Sequence, residues 1–191
     1  MLMKRKYSLI PAVALGFALA HVTQAQPTAL SLADKGNDYV GIQSKDKIVE
    51  ISSDKSVGDL KPNVWHVVYY DPNTPFKCQE VKFGSGQEMD VSHPVPRPFE
   101  PPRGEILDKS KLKVDSDQAL NIATGQAMVK QLTLRAAKLT LTQGDVGPIW
   151  KVQLWAAKAR NPDREADIGT VTISASDGSM VKSDLRLNKA D

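Results

Sequence analysis

The chain has 191 residues, room for one ordinary domain or two small ones, and carries 25 Lys and Arg against 22 Asp and Glu. Three of the basic residues (Lys4, Arg5 and Lys6) and none of the acidic ones fall in residues 1–25, so the rest of the chain has 22 of each and is formally neutral. That balance argues against nucleic-acid or anionic-membrane binding, which needs a clustered basic surface, and the lone Cys78 excludes an intramolecular disulfide.

Residues 1–25 read as a secretory signal. The basic start is followed by an apolar run, residues 9–20, and then by Thr23-Gln24-Ala25, which puts small residues at the −3 and −1 positions of a cleavage site. Cleavage after Ala25 is the first choice and after Ala20 the second. The apolar run is too short to cross a bilayer comfortably, and no second run of spanning length follows. An exported protein, periplasmic or extracellular, is expected.

Residues 26–56 carry little periodic signal. Asp34-Lys35-Gly36-Asn37 reads as a turn, residues 39–47 as a short helix interrupted by Gly41, and residues 48–52 (IVEIS) as an alternating strand. Residues 64–70 (VWHVVYY) form a strand by β-branched and aromatic content. Asp71-Pro72-Asn73-Thr74-Pro75 is a turn, residues 77–83 return as the partner strand, and residues 88–91 add a short fourth one after Gly84-Ser85-Gly86. Five prolines then fall between Pro94 and Pro102, which favours an extended, semi-rigid spacer; a proline-rich recognition motif is the alternative.

Beyond the prolines, Ser116 is read as the N-cap of a helix whose apolar face holds Ala119, Leu120, Ile122, Ala123, Ala127 and Val129. Residues 132–143 alternate but change phase at Ala136-Ala137, consistent with a bulge or with a helix running on to Leu134. Residues 149–156 and 169–175 are antiparallel strands joined by a charged loop, residues 157–168. Asp177-Gly178 is a hairpin signal, and residues 181–187 make a last strand.

Two stretches are alike. Each has a Trp opening a strand, a polar turn, a second strand and a Gly-bearing turn: residues 63–91 and residues 147–181. Aligning Trp65 with Trp150 pairs Val67 with Val152 and Tyr69 with Leu154 on one face, under a helix. Aligning Gly86 with Gly178 pairs Val81 with Ile173 and Phe83 with Ala175, leaving His66, Cys78, Glu80 and Lys82 on the outer face.

The segments VDSDQALNIA (114–123), WKVQLW (150–155) and GTVTISASDGSMV (169–181) together resemble the PepSY domain family. The resemblance spans residues 114–191; residues 31–91 share only its strands and turns. It implies a helix packed on a small antiparallel sheet in an exported or envelope protein. Relatives occur in propeptides of thermolysin-like peptidases and in membrane or spore-envelope proteins, where an inhibitory or partner-binding role is proposed. No peptidase is expected to follow, unlike the propeptide relatives, and no anchor is expected to remain, unlike the membrane-anchored ones.

The expected fold is therefore α+β: two small units, each a helix on an antiparallel β-meander, joined by a Pro-rich linker. The divisions are a signal at 1–25, a degenerate PepSY-like unit at 26–91, the linker at 92–104 and a clearer PepSY-like unit at 105–191.

Chemistry is thinly supplied. After the signal, His66, His93 and Cys78 are the only soft or borderline metal ligands, fewer than a closed site wants. No GxSxG and no phosphate-binding glycine loop occurs. No catalytic, cofactor-binding or metal-ligating residue is assigned, and no cofactor is expected. The partner-contact candidates are Tyr70 and Trp155, placed at equivalent strand ends on the outer face, with His66 and Cys78 nearby across the hairpin. The expected function is a non-enzymatic protein- or peptide-binding module of the bacterial envelope, with modulation of a peptidase as one form of it. A Cys-dependent envelope enzyme and a homotypic structural subunit are the competing readings.

Overall fold

A computed structural model describes residues 26–92 and 106–190. Residues 1–25, expected as a secretory signal, and residues 93–105, which hold the five prolines of the expected linker, lie outside the described residues. The fold is α+β: two helices and one antiparallel sheet of eight strands in the order β4-β3-β2-β1-β5-β6-β7-β8. In chain order these are α1 (Ala29–Gly36), β1 (Ile48–Ser53), β2 (Val64–Tyr70), β3 (Cys78–Gly84), β4 (Gln87–Ser92), α2 (Ser116–Thr124), β5 (Leu134–Gln143), β6 (Pro148–Lys158), β7 (Asn161–Ser174) and β8 (Met180–Leu185).

Both helices sit on one face of the sheet. α1 packs over β1 and β2, and α2 over β6 and β7. The strands supply that face by strict alternation: Trp65, Val67 and Tyr69 from β2, and Trp150, Val152 and Leu154 from β6, are all buried in one apolar cluster with Leu32, Ala33, Ala119 and Ala123. Trp65 and Trp150 each satisfy the indole N–H on a carbonyl: Trp65 on Pro62 at 3.2 Å and Trp150 on Val114 at 2.8 Å. Across the hairpins Trp65 faces Phe83 and Val67 faces Val81, while Trp150 faces Ile173 and Val152 faces Val171. The equivalents of Val81 and Phe83 are thus Val171 and Ile173, two residues earlier than the glycine alignment expects. The slip preserves the faces because side chains alternate with a period of two.

The first helix corrects the sequence reading. Ala29, Leu32, Ala33 and Gly36 recur at helical spacing and are buried, so the run expected as a turn is the end of α1. Residues 39–47, expected as a helix, are irregular, with a run of turns at 42–46. Gly36 is needed for close approach: a Cβ there would stand 2.1 Å from Tyr69 Oη, whose hydroxyl donates to Ala33 O at 2.6 Å.

At α2 the N-cap is Asp115, with Ser116 inside the first turn. The Asp115 carboxylate accepts the Ser116 N–H at 2.6 Å, and Gln118 Oε1 accepts the Asp115 N–H at 3.1 Å. The same oxygen, Oδ1, accepts the N–H of Leu30 at 3.1 Å, and Ser116 Oγ accepts that of Ala29 at 3.0 Å. The N-termini of α1 and α2 therefore meet head to head, and one carboxylate neutralises the positive end of both helix dipoles.

The centre of the sheet is a short seam. β1 and β5 pair at Glu50–Thr142, Ile51–Leu141 and Ser52–Thr140. Beyond those pairs serine hydroxyls carry the contact on: Ser53 Oγ accepts from Leu139 N–H and Ser56 Oγ from Ala137 N–H, both at 2.9 Å. The phase change in β5 is a register shift between Leu134 and Ala136, the bulge form of the expectation. The charged loop of residues 157–168 is instead ladder: β6 and β7 continue pairing as far as Lys158 and Asn161.

Candidate functional site

The outer face of the sheet carries His66, Val68 and Tyr70 from β2, opposite in parity to the buried set. His66 Nδ1 contacts Glu80 Oε1 on β3, and Nε2 lies 3.3 Å from Asp54 Oδ1. The two carboxylates take opposite ring nitrogens, so they converge on no common point. Among the described residues no three His, Cys, Asp or Glu side chains form a metal-ligand set. Glu80, followed by its negative field and that of Asp54, holds the His66 proton above the ordinary value against the opposing effect of burial.

This His66 arrangement sets a pH dependence. The stabilisation is complete below the unfolded-state value of 6.5 and is lost as pH rises through the higher folded-state value. For a partly exposed pair the contribution is about 0.5 kcal/mol. We expect the His66 ring resonances to titrate above the free-histidine midpoint and to move back towards it in Glu80→Gln; a midpoint at or below the free value would contradict the pairing.

Cys78 is buried on the same outer face, in a small cluster with Val49, Val68 and Tyr70. Burial pushes its thiol up, and the charge of Glu80 adds to that, so the neutral thiol is favoured and nucleophilic character suppressed. In register, His66 faces Lys82 and Cys78 faces Tyr70. His66 and Cys78 therefore share a face but stand four residues apart along the hairpin, roughly 13 Å. The adjacency expected of that pair is absent: a Cys–His nucleophile or a two-residue metal contact is not assembled. His93 lies outside the described residues.

Nor do Tyr70 and Trp155 make a common patch. The Tyr70 N–H donates to Lys47 O, at one end of β1. Trp155 pairs with Ala136 on β5, next to Ala137, whose backbone meets Ser56 beyond the other end of β1. The offset is about nine residues along the strands, roughly 30 Å, with β1 and β5 between them. Tyr70 packs on Cys78, whereas the Trp155 ring lies beneath Lys55 Nζ at 4.7 Å, and Lys55 in turn pairs with Glu165.

What sequence reading did not single out are the two ends of the sheet. β4 and β8 have a described strand on one side only. β4 exposes Met89 and Val91 beside Glu88 and Asp90, and β8 exposes Met180 and Val181 beside Lys182 and Asp184. In the sequence both strands carry their charges on one parity, Glu88 and Asp90 in β4 and Lys182 and Asp184 in β8, so alternation alone does not set an edge strand apart from a half-buried one. A shallow depression of about 210 Å³, lined by Gln26, Pro27, Lys61, Trp65, Asp117 and Leu120 among others, lies beside the meeting helix ends. Comparison with protein-family models, with curated proteins and with solved structures gave no match.

Proposed function

We propose that the protein is an exported, non-enzymatic module of the bacterial envelope that captures a protein or peptide by adding its extended segment to β4. We further propose that its halves are copies of one PepSY-like unit, the first degenerate. The duplication reading draws support from each half running as a helix followed by four antiparallel strands, with a buried Trp near the start of the second strand. The strand order also reverses about the β1–β5 seam, placing β4 and β8 in equivalent edge positions.

The observation that carries the binding reading is the β4 edge. Its outer backbone donors and acceptors have no described strand to pair with, and Met89 and Val91 are 59% and 37% exposed. Added strands take their affinity from main-chain hydrogen bonds and their selectivity from alternate side chains. Glu88 and Asp90 would select a segment with basic residues between apolar ones. Peptidase modulation, implied for PepSY relatives, would be one use of such an edge.

The test places a photo-crosslinking amino acid at position 89 and uses the protein as bait in an envelope extract. One major adduct is expected, at least tenfold weaker when Val91 is alanine, while Tyr70→Ala/Trp155→Ala leaves it intact. Capture that depends on Tyr70 and Trp155 but not on β4 would overturn the reading.

A further inference from the structure

The second open edge has a property that the first lacks: it is self-complementary. β8 reads Met180-Val181-Lys182-Ser183-Asp184-Leu185. The Arg186 N–H donates inward to Ile168 O at 2.7 Å. Donor direction alternates along a strand, so Asp184 and Lys182 also direct their N–H groups inward to β7, and Ser183 directs both N–H and C=O outward. A second copy of β8, laid antiparallel on this edge with the twofold axis at Ser183, would exchange two hydrogen bonds between the two Ser183 backbones. That register puts Lys182 opposite Asp184 of the other copy on both sides of the axis, within the regular part of the strand.

We propose that the protein forms a twofold-symmetric dimer through β8, joining two eight-stranded sheets edge to edge. Lys182 and Asp184 point to the outer face and are already 2.6 Å apart within one chain. In the dimer each Lys182 gains a second Asp184 as a direct cross-strand neighbour, in the closer, non-hydrogen-bonded type of pair. The four charges alternate in sign around the axis. Ser183 faces the helix side, where its hydroxyl lies 3.3 Å from Gln126 Oε1, so the axis passes between small side chains on that face. Val181, which is 59% exposed, lies at the register shift of β8 against Ile173, so the regular cross-strand pairs are those of residues 182–184.

Other pairings are worse. A twofold axis at Lys182 or at Asp184 opposes like charges. An axis at Leu185 runs off the strand, because the chain enters a 3-10 turn at Leu187–Ala190. β4 pairing with itself about Met89 sets Glu88 against Asp90. The twofold pairing of β8 also closes the assembly at two chains, whereas a β4-to-β8 pairing would propagate without end. The dimer leaves both β4 edges at the outer margins and does not rest on the partner capture proposed for them.

Sedimentation equilibrium of the purified protein tests this. The wild type is expected to be a reversible dimer, and Lys182→Asp should weaken it at least tenfold. Lys182→Asp/Asp184→Lys should restore it, because the swap re-creates the same alternation. Ser183→Pro should give a monomer with an unchanged circular-dichroism spectrum, since its outward N–H serves no bond within the chain. Should that variant fail to fold, amide exchange decides: Ser183 protection in the wild type must rise with protein concentration. A wild type that sediments as a single chain at several hundred micromolar overturns the proposal. A dimer that tolerates Ser183→Pro, or a double swap as weak as the single change, does the same.

Discussion

Replacing Trp150 with alanine is expected to lower the unfolding free energy by about 4 kcal/mol, the upper range for emptying a large buried aromatic site. The ring is fully buried, faces Ile173 across the hairpin and gives its N–H to Val114 O, the residue just ahead of the α2 cap. The substitution therefore opens a cavity beneath α2 and also leaves a buried carbonyl without its donor. Trp65→Ala should cost somewhat less, because that ring retains slight exposure and its bond to Pro62 O is longer. Urea unfolding followed by circular dichroism and by tryptophan fluorescence reads both variants. One shared transition is expected, since the seam makes the sheet continuous. A loss below 2 kcal/mol for Trp150→Ala would mean that the site refills by relaxation.

Asp115→Ala comes next, at about 2 to 3 kcal/mol. A single helix cap is worth about 1 kcal/mol, and this carboxylate serves two helices, through Ser116 N–H and Leu30 N–H. Asp115→Asn should recover most of the loss, because asparagine caps nearly as well, though without the charge between the two dipoles. Ser116→Ala isolates the cross-helix part: it strips the acceptor from the buried Ala29 N–H. If Asp115→Ala costs no more than an ordinary single cap in equilibrium unfolding, the shared role is wrong.

The strands were legible because one face of the sheet is buried. Trp65, Val67 and Tyr69, and again Trp150, Val152 and Leu154, announce themselves by alternation. Where burial is absent the pattern disappears. Residues 161–165 at the start of β7 are exposed, so backbone pairing holds them in a ribbon that no side-chain periodicity reports. α1 was hidden for another reason. Its Asp34-Lys35-Gly36 end has turn composition, and the small Gly36 is dictated by Tyr69, 33 residues away in the chain. The candidate site shows the same limit. Parity put His66 and Cys78 on one face, but their spacing depended on hairpin register, which opposes Tyr70 to Cys78. Likewise, Tyr70 and Trp155 occupy like positions in the two halves, yet the antiparallel seam turns one half around and sends them to opposite ends.

The β1–β5 seam has a consequence for how the molecule is made. Ser53 and Leu139, which meet there, are 86 residues apart in sequence, and Ser56 and Ala137 are 81 apart. Contacts of such long range form late, after the local hairpins on either side have closed. Until then the inner margin of each nascent half is an unprotected apolar strand, Ile48–Ser53 in one and Leu134–Gln143 in the other. Either half synthesised alone would therefore be prone to cross-chain aggregation through the margin that the intact protein hides, and yield on refolding should drop as protein concentration rises.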